Sequence, residues 1–246
     1  MIISTDGLVL REVLYRDSDK ILTIVTRDRG KLSASCPGGR SKMGSMRAGT
    51  QLLSYSDFTL FENRGRYSIN AAEPVEMFMQ LRKDILLLSL GSYFAEVLET
   101  VADEEVPASD LLTTGLNCLY GLSVRKKPQL LIKAVFELRV MMISGYAIDV
   151  AECPVCGSDE PEDPVFDIRT GRVGCSACFG QENGLIPLRG ESLNAIRYIH
   201  SAEPKRILSF SVDEKSAACL ADVAEKYLLH CLERDFSTLR FYKSLL

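Results

Sequence analysis

The chain has 246 residues, 46% hydrophobic and 25% charged, with 29 Lys+Arg against 33 Asp+Glu and a net charge of −4. Such a composition is average for folded globular proteins and excludes a disordered or low-complexity chain. The longest apolar run, "ILLLSLGSYFA" at residues 85–95, falls short of the roughly 18 residues that would signal a membrane helix.

The opening "MIISTDGLVLREVLY" meets charge at Asp6 and Arg11 and lacks a basic lead before an apolar core, so it does not read as a secretory signal. The expected location is the cytoplasm, where thiols stay reduced and paired cysteines point to metal rather than to disulfides. The charge is unevenly spread. Residues 1–80 hold eleven bases and nine acids, whereas the remainder holds 18 bases and 24 acids. From residue 29 to residue 56 there are five bases and no acid, a local field that attracts polyanions despite the acidic whole.

In chain order, the first elements are strands. "GLVLREVLY" alternates like a half-buried strand, and "KILTIVTRDRGKLSASC" reads as two strands turning at Arg27-Asp28-Arg29-Gly30. A glycine after charged residues suits a tight hairpin, because the turn needs a residue that tolerates positive φ. Beyond the basic stretch, "TQLLSYSDFTLFEN" and "RYSINAAEP" form another pair around Asn63-Arg64-Gly65-Arg66. Five short strands before any helical period predict a small closed or nearly closed barrel over residues 1–75.

At Glu76 the period changes. Met77, Leu81, Ile85, Leu88, Phe94, Val97, Leu98 and Val101 recur at helical spacing, after Pro74. A second helix is expected after Pro107, with Ser109 or Asp110 as N-cap, and a third from Pro128 to Gly145. Two more are predicted at residues 192–200 and 213–232. Residues 76–150 and 181–246 therefore form a helical domain, interrupted by a cysteine-rich insert at 151–180.

That insert carries Cys153 and Cys156 as one C-x2-C pair and Cys175 and Cys178 as another, with 18 residues between the pairs. The spacing is that of a four-thiolate zinc site. Each turn aims two sulfurs at one point, and four thiolates leave no open position for catalysis, so the site reads as structural. "VFDIRTGRVG" between the pairs suggests a hairpin turning at Thr170-Gly171. Cys36, Cys118, Cys219 and Cys231 are scattered and read as small apolar residues.

Enzymatic chemistry finds little support. "GGRSKMGS" has phosphate-loop glycines but no Lys-Ser/Thr after Gly44. There is no G-x-S-x-G, no H-E-x-x-H and no dinucleotide fingerprint, and the two histidines lie in predicted helices. The basic stretch is either a solvated loop or a phosphate-tracking loop on the barrel. Glycines 38, 39, 44 and 49 favour the second by permitting close backbone approach, and Arg27, Arg29, Arg64 and Arg66 add guanidinium groups at the hairpin turns. Tyr55, Phe58, Phe61 and Tyr67 lie on the strands; most should be core, with one or two available to stack on bases. Stacking and phosphate contacts serve RNA and DNA alike. The competing reading is a zinc-containing adaptor for protein partners with little direct nucleic-acid binding.

Three segments resemble the RecO family of DNA repair and recombination-mediator proteins: "GLVLREVLYRDSDKILTIVTRDRGKLSASCPGGRSKMGS", "FELRVMMISGYAIDVAECPVCG" and the closing "LRFYKSLL". The resemblance implies an α+β architecture, with an N-terminal OB-fold, a helical domain and a zinc insert. It implies binding of single- and double-stranded DNA, annealing of complementary strands, and recombinase loading on strands coated by single-strand-binding protein. The implied partners are RecR, single-strand-binding protein and, through RecR, RecF, in a nucleoid-associated setting without catalysis, membrane or small-molecule substrate. The family's loop bases fall on Arg40, Lys42 and Arg47, with Lys31 adjacent, and its zinc ligands on Cys153, Cys156, Cys175 and Cys178. Arg139, on the "FELR" helix, would meet the acidic tail of single-strand-binding protein. This loop has fewer bases than many members show.

Overall fold

The computed structural model describes residues 1–15, 18–38, 44–146, 148–181 and 183–246. They form two compact units, Met1–Val124 with Phe236–Leu246, and Arg125–Asp235. The compact units thus divide the chain elsewhere than at residue 75, and the first helices group with the barrel.

In the first unit, β1 (Ile2–Tyr15), β2 (Asp19–Thr26), β3 (Gly30–Cys36), β4 (Tyr55–Asn63) and β5 (Arg66–Glu76) close a barrel in the order β1-β2-β3-β5-β4. All pairs are antiparallel except β3 with β5, where Ala34 faces Tyr67 and Ser35 faces Ser68. This is the OB topology. Closure depends on the length of β1. Its first half pairs with β4 and its second with β2, and an irregularity between Val9 and Arg11 bends the strand from one partner to the other. Gly7 lies at the handover, where a Cβ would sit 2.7 Å from the Ile24 side chain and 2.8 Å from the Val25 carbonyl oxygen. Alternate residues point inward, and Val9, Leu22, Ile24, Leu32, Phe58, Leu60 and Ile69 fill the barrel.

Between β3 and β4 lies a short helix, α1 (Ser45–Gly49), inside the stretch read as a loop. Met46 packs on the barrel core, and Ser56 Oγ donates to the Gly49 carbonyl at 2.9 Å. α2 (Ile85–Val101) begins later than the apolar period suggests. Strand β5 runs on to Glu76, a 3₁₀ turn occupies Leu81–Lys83, and Asp84 caps the helix by accepting from the amides of Leu86 and Leu87. α3 (Ser109–Val124) follows, and Ala108, the residue just before it, donates its amide to the Arg27 carbonyl. A last helix, α8 (Ser237–Ser244), returns to α2; the amide of Thr238 donates to Glu96, and the ring of Phe236 meets Tyr93 edge-on at 5.7 Å. The sequence pattern does not separate α8 from its surroundings.

The second unit is built on α4 (Gln129–Ile143) and α7 (Glu214–Leu232), which pack together, with α6 (Ser192–Ser201) against both. Asp213 caps α7 through the amides of Lys215 and Ser216. Between α4 and α6, β6 (Pro164–Asp167) and β7 (Arg172–Cys175) make the expected hairpin, with Gly171 at φ +67°. A four-residue helix, α5 (Ser176–Phe179), follows, and an unforeseen third strand, β8 (Leu185–Pro187), pairs with β6. Phe166 of β6 meets Tyr227 of α7 edge-on at 5.2 Å, anchoring the insert to the helices.

Candidate nucleic-acid interface and metal centre

The bases of the barrel divide by what already holds them. Arg27 is bound into the fold. Its Nε donates to both oxygens of Asp6 at 3.2 and 3.0 Å, its Nη2 lies 2.8 Å from Oδ2, and its Nη1 donates to Ser109. Tyr55 donates its hydroxyl to the same carboxylate at 2.6 Å. Burial works to raise the Asp6 carboxyl, but Tyr55 and Arg27 outweigh it and hold the group below its ordinary value. The bond from Asp6 in turn holds the Arg27 guanidinium more firmly protonated. Lys31 is also occupied: its Nζ donates to the Glu99 carbonyl at 2.8 Å.

Arg29, Arg47, Arg64 and Arg66 have no carboxylate partner among the described residues. Arg47 is exposed in the last turn of α1, Arg64 and Arg66 are exposed, and Arg29 is half-buried. Arg40 and Lys42 lie outside the described residues. The topology also separates the bases. The β2–β3 and β4–β5 hairpins turn in the same direction, whereas the connection bearing Arg47 leaves from the opposite strand ends. The parallel register of β3 with β5 sets the start of β5, and with it Arg66, alongside the middle of β3.

At the β4–β5 turn both central residues have positive φ, Arg64 at +52° and Gly65 at +73°, as a type I′ hairpin requires. Of the aromatics, Phe58 and Tyr67 are in the core, Tyr55 is engaged with Asp6, and Phe61 stands 44% exposed.

In the second unit the four predicted cysteine sulfurs of Cys153, Cys156, Cys175 and Cys178 all lie within 4.8 Å of one another. Cys156 and Cys175 are 3.7 Å apart. A tetrahedron with metal–sulfur bonds near 2.3 Å has edges of about 3.8 Å, so the donors are spaced as a four-thiolate metal site needs. The first knuckle turns through Gly157 at φ +73°, whose amide returns to the Cys153 carbonyl at 2.8 Å. Backbone amides, that of Cys156 foremost, draw the Cys153 thiol down to about 6, while the hydrogen bond with Cys156 pushes Cys178 up to about 12. Three of the four sulfur-bearing residues are buried or half-buried, which suits a folding element.

Arg139 is used inside its unit. Its Nη1 donates to the carbonyls of Ile199, His200 and Ala202, closing the C-terminal end of α6. The residue type and helix position that suggested a partner contact equally suit this cap, and sequence could not distinguish them.

A closed five-stranded barrel of OB topology, joined to helices and a four-cysteine cluster, defines a class of modular α+β protein. Family models match nearly all of it: residues 1–78 match "Recombination protein O N terminal" and residues 82–240 match "Recombination protein O C terminal". The chain belongs to the RecO family. It is 33% identical over 99% of its length to a DNA repair protein RecO of Acetivibrio thermocellus, covering 97% of that protein. It is 30% identical to the one of Alkaliphilus metalliredigens, with each chain fully covered, and 25% identical over 90% of its length to the one of Listeria monocytogenes, covering 86% of that protein. Among the described residues no helix is long and apolar enough to cross a membrane.

Proposed function

We propose that the chain acts in DNA repair by holding DNA backbones on the barrel without reading sequence. Exposed guanidinium groups at Arg47, Arg64 and Arg66, uncommitted to carboxylates among the described residues of an acidic protein, carry this reading. A guanidinium engaged internally, like that of Arg27, gives little to a phosphate; an uncommitted one forms a charge-assisted bond to it. Half-buried Arg29 would add to the same basic region, and Lys31 only on release from the Glu99 carbonyl; Arg40 and Lys42 are candidate contacts from the sequence alone.

Two strands held on one protein have a raised effective concentration, and their neutralised phosphates repel each other less. Pairing then speeds up with no covalent step, so the activity is annealing rather than catalysis on the nucleic acid. Recombinase loading on strands coated by single-strand-binding protein, with RecR and, through it, RecF as partners, extends this role and rests on the family. In the second unit Cys153, Cys156, Cys175 and Cys178 would hold zinc, which supplies a cross-link that stabilises the insert.

The experiment is annealing of complementary oligonucleotides, bare and coated by single-strand-binding protein. Acceleration in both is expected. No acceleration over the spontaneous rate in either would remove the proposal.

A further inference from the structure

The outer face of β1, β4 and β5 changes character along its length. Register places Asn63 opposite Arg66, Ile2 and Ser68 on either side of Phe61, and then Asp6, Asp57 and Glu73 abreast. β1 and β4 alternate along this stretch, and in β5 an extra residue at Asn70, between the Leu60–Ile69 and Thr59–Ala71 pairs, resets the alternation, so that Arg66, Ser68 and Glu73 all lie on the solvent side. One end is basic, with Arg64 and Arg66. Phe61 stands next to it, 44% exposed beside Ile2 at 67%. Roughly 13 Å further along the strand, at about 3.3 Å per residue, three carboxylates stand in a row.

Two features of this face run against stability. Like charges directly opposite one another in a sheet are unfavourable, and among the described residues only Asp6 of the three is relieved by an arginine, Arg27. Asp28 adds a fourth carboxylate to the groove of about 620 Å³ that they line. At the other end Arg64 sits at φ +52°, a position where asparagine or glycine is at ease and arginine is not. The backbone of Arg64 thus bears a cost at one end, and Asp57 and Glu73 stand without a cation partner among the described residues at the other.

We propose that this face is a short single-strand subsite: a base stacks on Phe61, the adjoining phosphates meet Arg64 and Arg66, and the row Asp6–Asp57–Glu73 ends the track. The inference rests on the nucleic-acid reading above and deepens it. A flat aromatic ring accepts any unpaired base and offers nothing to a base inside a duplex. The subsite therefore favours single strands, while the arginines act on both forms. The carboxylate row repels the phosphodiester chain and limits the contact to a few nucleotides.

The chain has no tryptophan. Phe61→Trp thus installs a sole indole, and its emission in the full-length protein reports stacking. Binding of oligothymidylate should quench it, and binding of a duplex should not. Phe61→Leu, which keeps an apolar side chain, should weaken oligothymidylate binding roughly tenfold and leave duplex binding unchanged. Arg64→Asn should weaken both forms while keeping or raising Tm. Replacing Asp57 by asparagine together with Glu73 by glutamine should tighten single-strand binding about threefold. If oligothymidylate binds yet the indole emission stays constant and Phe61→Leu binds like the parent, the subsite is refuted although nucleic-acid binding stands. If neither nucleic acid binds the parent protein, the broader reading fails and the subsite with it.

Discussion

The guanidinium of Arg27 and the carboxylate of Asp6 meet at 2.8 Å across the β1–β2 end of the barrel, with the Tyr55 hydroxyl on the same carboxylate. A base picked out by sequence as a phosphate contact is therefore part of what closes the barrel. Asp6→Ala should cost roughly 1–2 kcal/mol, the usual loss for a partly exposed charge-assisted bond. Arg27→Ala should likewise lower Tm while changing DNA affinity less than Arg47→Ala. The sign with pH follows from the depressed Asp6 carboxyl: its contribution is present above the unfolded value, near 3.8, and is lost as pH falls through the lower folded value. Denaturant melts of Asp6→Asn against the parent between neutral and strongly acid pH should converge at the acid end.

Gly30 makes a sharper stability prediction. It holds φ +61°, and a Cβ there would collide with the carbonyl oxygens of Asp103 and Val106. The backbone beyond α2 has no room to retreat, since the Lys31 amide donates to the Asp103 carbonyl at 2.9 Å. Gly30→Ala should destabilise by roughly 2–4 kcal/mol, read as a shift in the denaturant midpoint. A variant as stable as the parent would show that the contact is not needed.

Much of this was legible in the residues, and the failures have physical causes. Alternation and the Gly30 and Gly65 turns mark the strands of the barrel, and the spacing of Cys153, Cys156, Cys175 and Cys178 marks the four-cysteine cluster, because both are set by local backbone geometry. The start of α2 was not legible: Met77 and Leu81 fit a helical period, yet β5 holds the chain extended to Glu76 and Asp84 is the actual cap. α8 was missed because its two buried residues, Leu239 and Tyr242, are too few to announce a period. The engagement of Arg27 by Asp6 and of Arg139 by α6 depends on partners 21 and about 60 residues away, which no local pattern reveals.

A buried ion cluster in the second unit carries its own test. Lys133, 2% exposed, lies 2.7 Å from Glu137, which is fully buried, and 2.8 Å from Glu225. Removing the lysine alone strands a carboxylate in the interior. Lys133→Ala should cost roughly 3–5 kcal/mol, and the paired replacement Lys133→Met with Glu137→Leu should recover most of it. A thermal melt of the single and paired variants decides the point; equal losses in both would show that the cost of the single variant does not come from a stranded carboxylate.

Removal of metal should act on stability. The full-length protein is expected to bind one zinc ion per chain, and Cys153→Ser to lose it with a fall in Tm of at least about 5 °C. Elemental analysis alongside calorimetry checks both. Metal-free protein with an unchanged melt would show that the cluster is not a folding element.

The most direct measurement is the affinity of the full chain for single-stranded DNA as salt is raised, compared with a variant in which Arg47, Arg64 and Arg66 are alanine. If about three to five phosphates are contacted, the logarithmic slope should be about −2 to −3.5 for the parent and shallower by roughly two in the variant, with all sequences weakened alike. A parent whose affinity ignores salt, or a variant whose slope matches it, would contradict the claim that uncommitted arginines on the barrel hold the backbone.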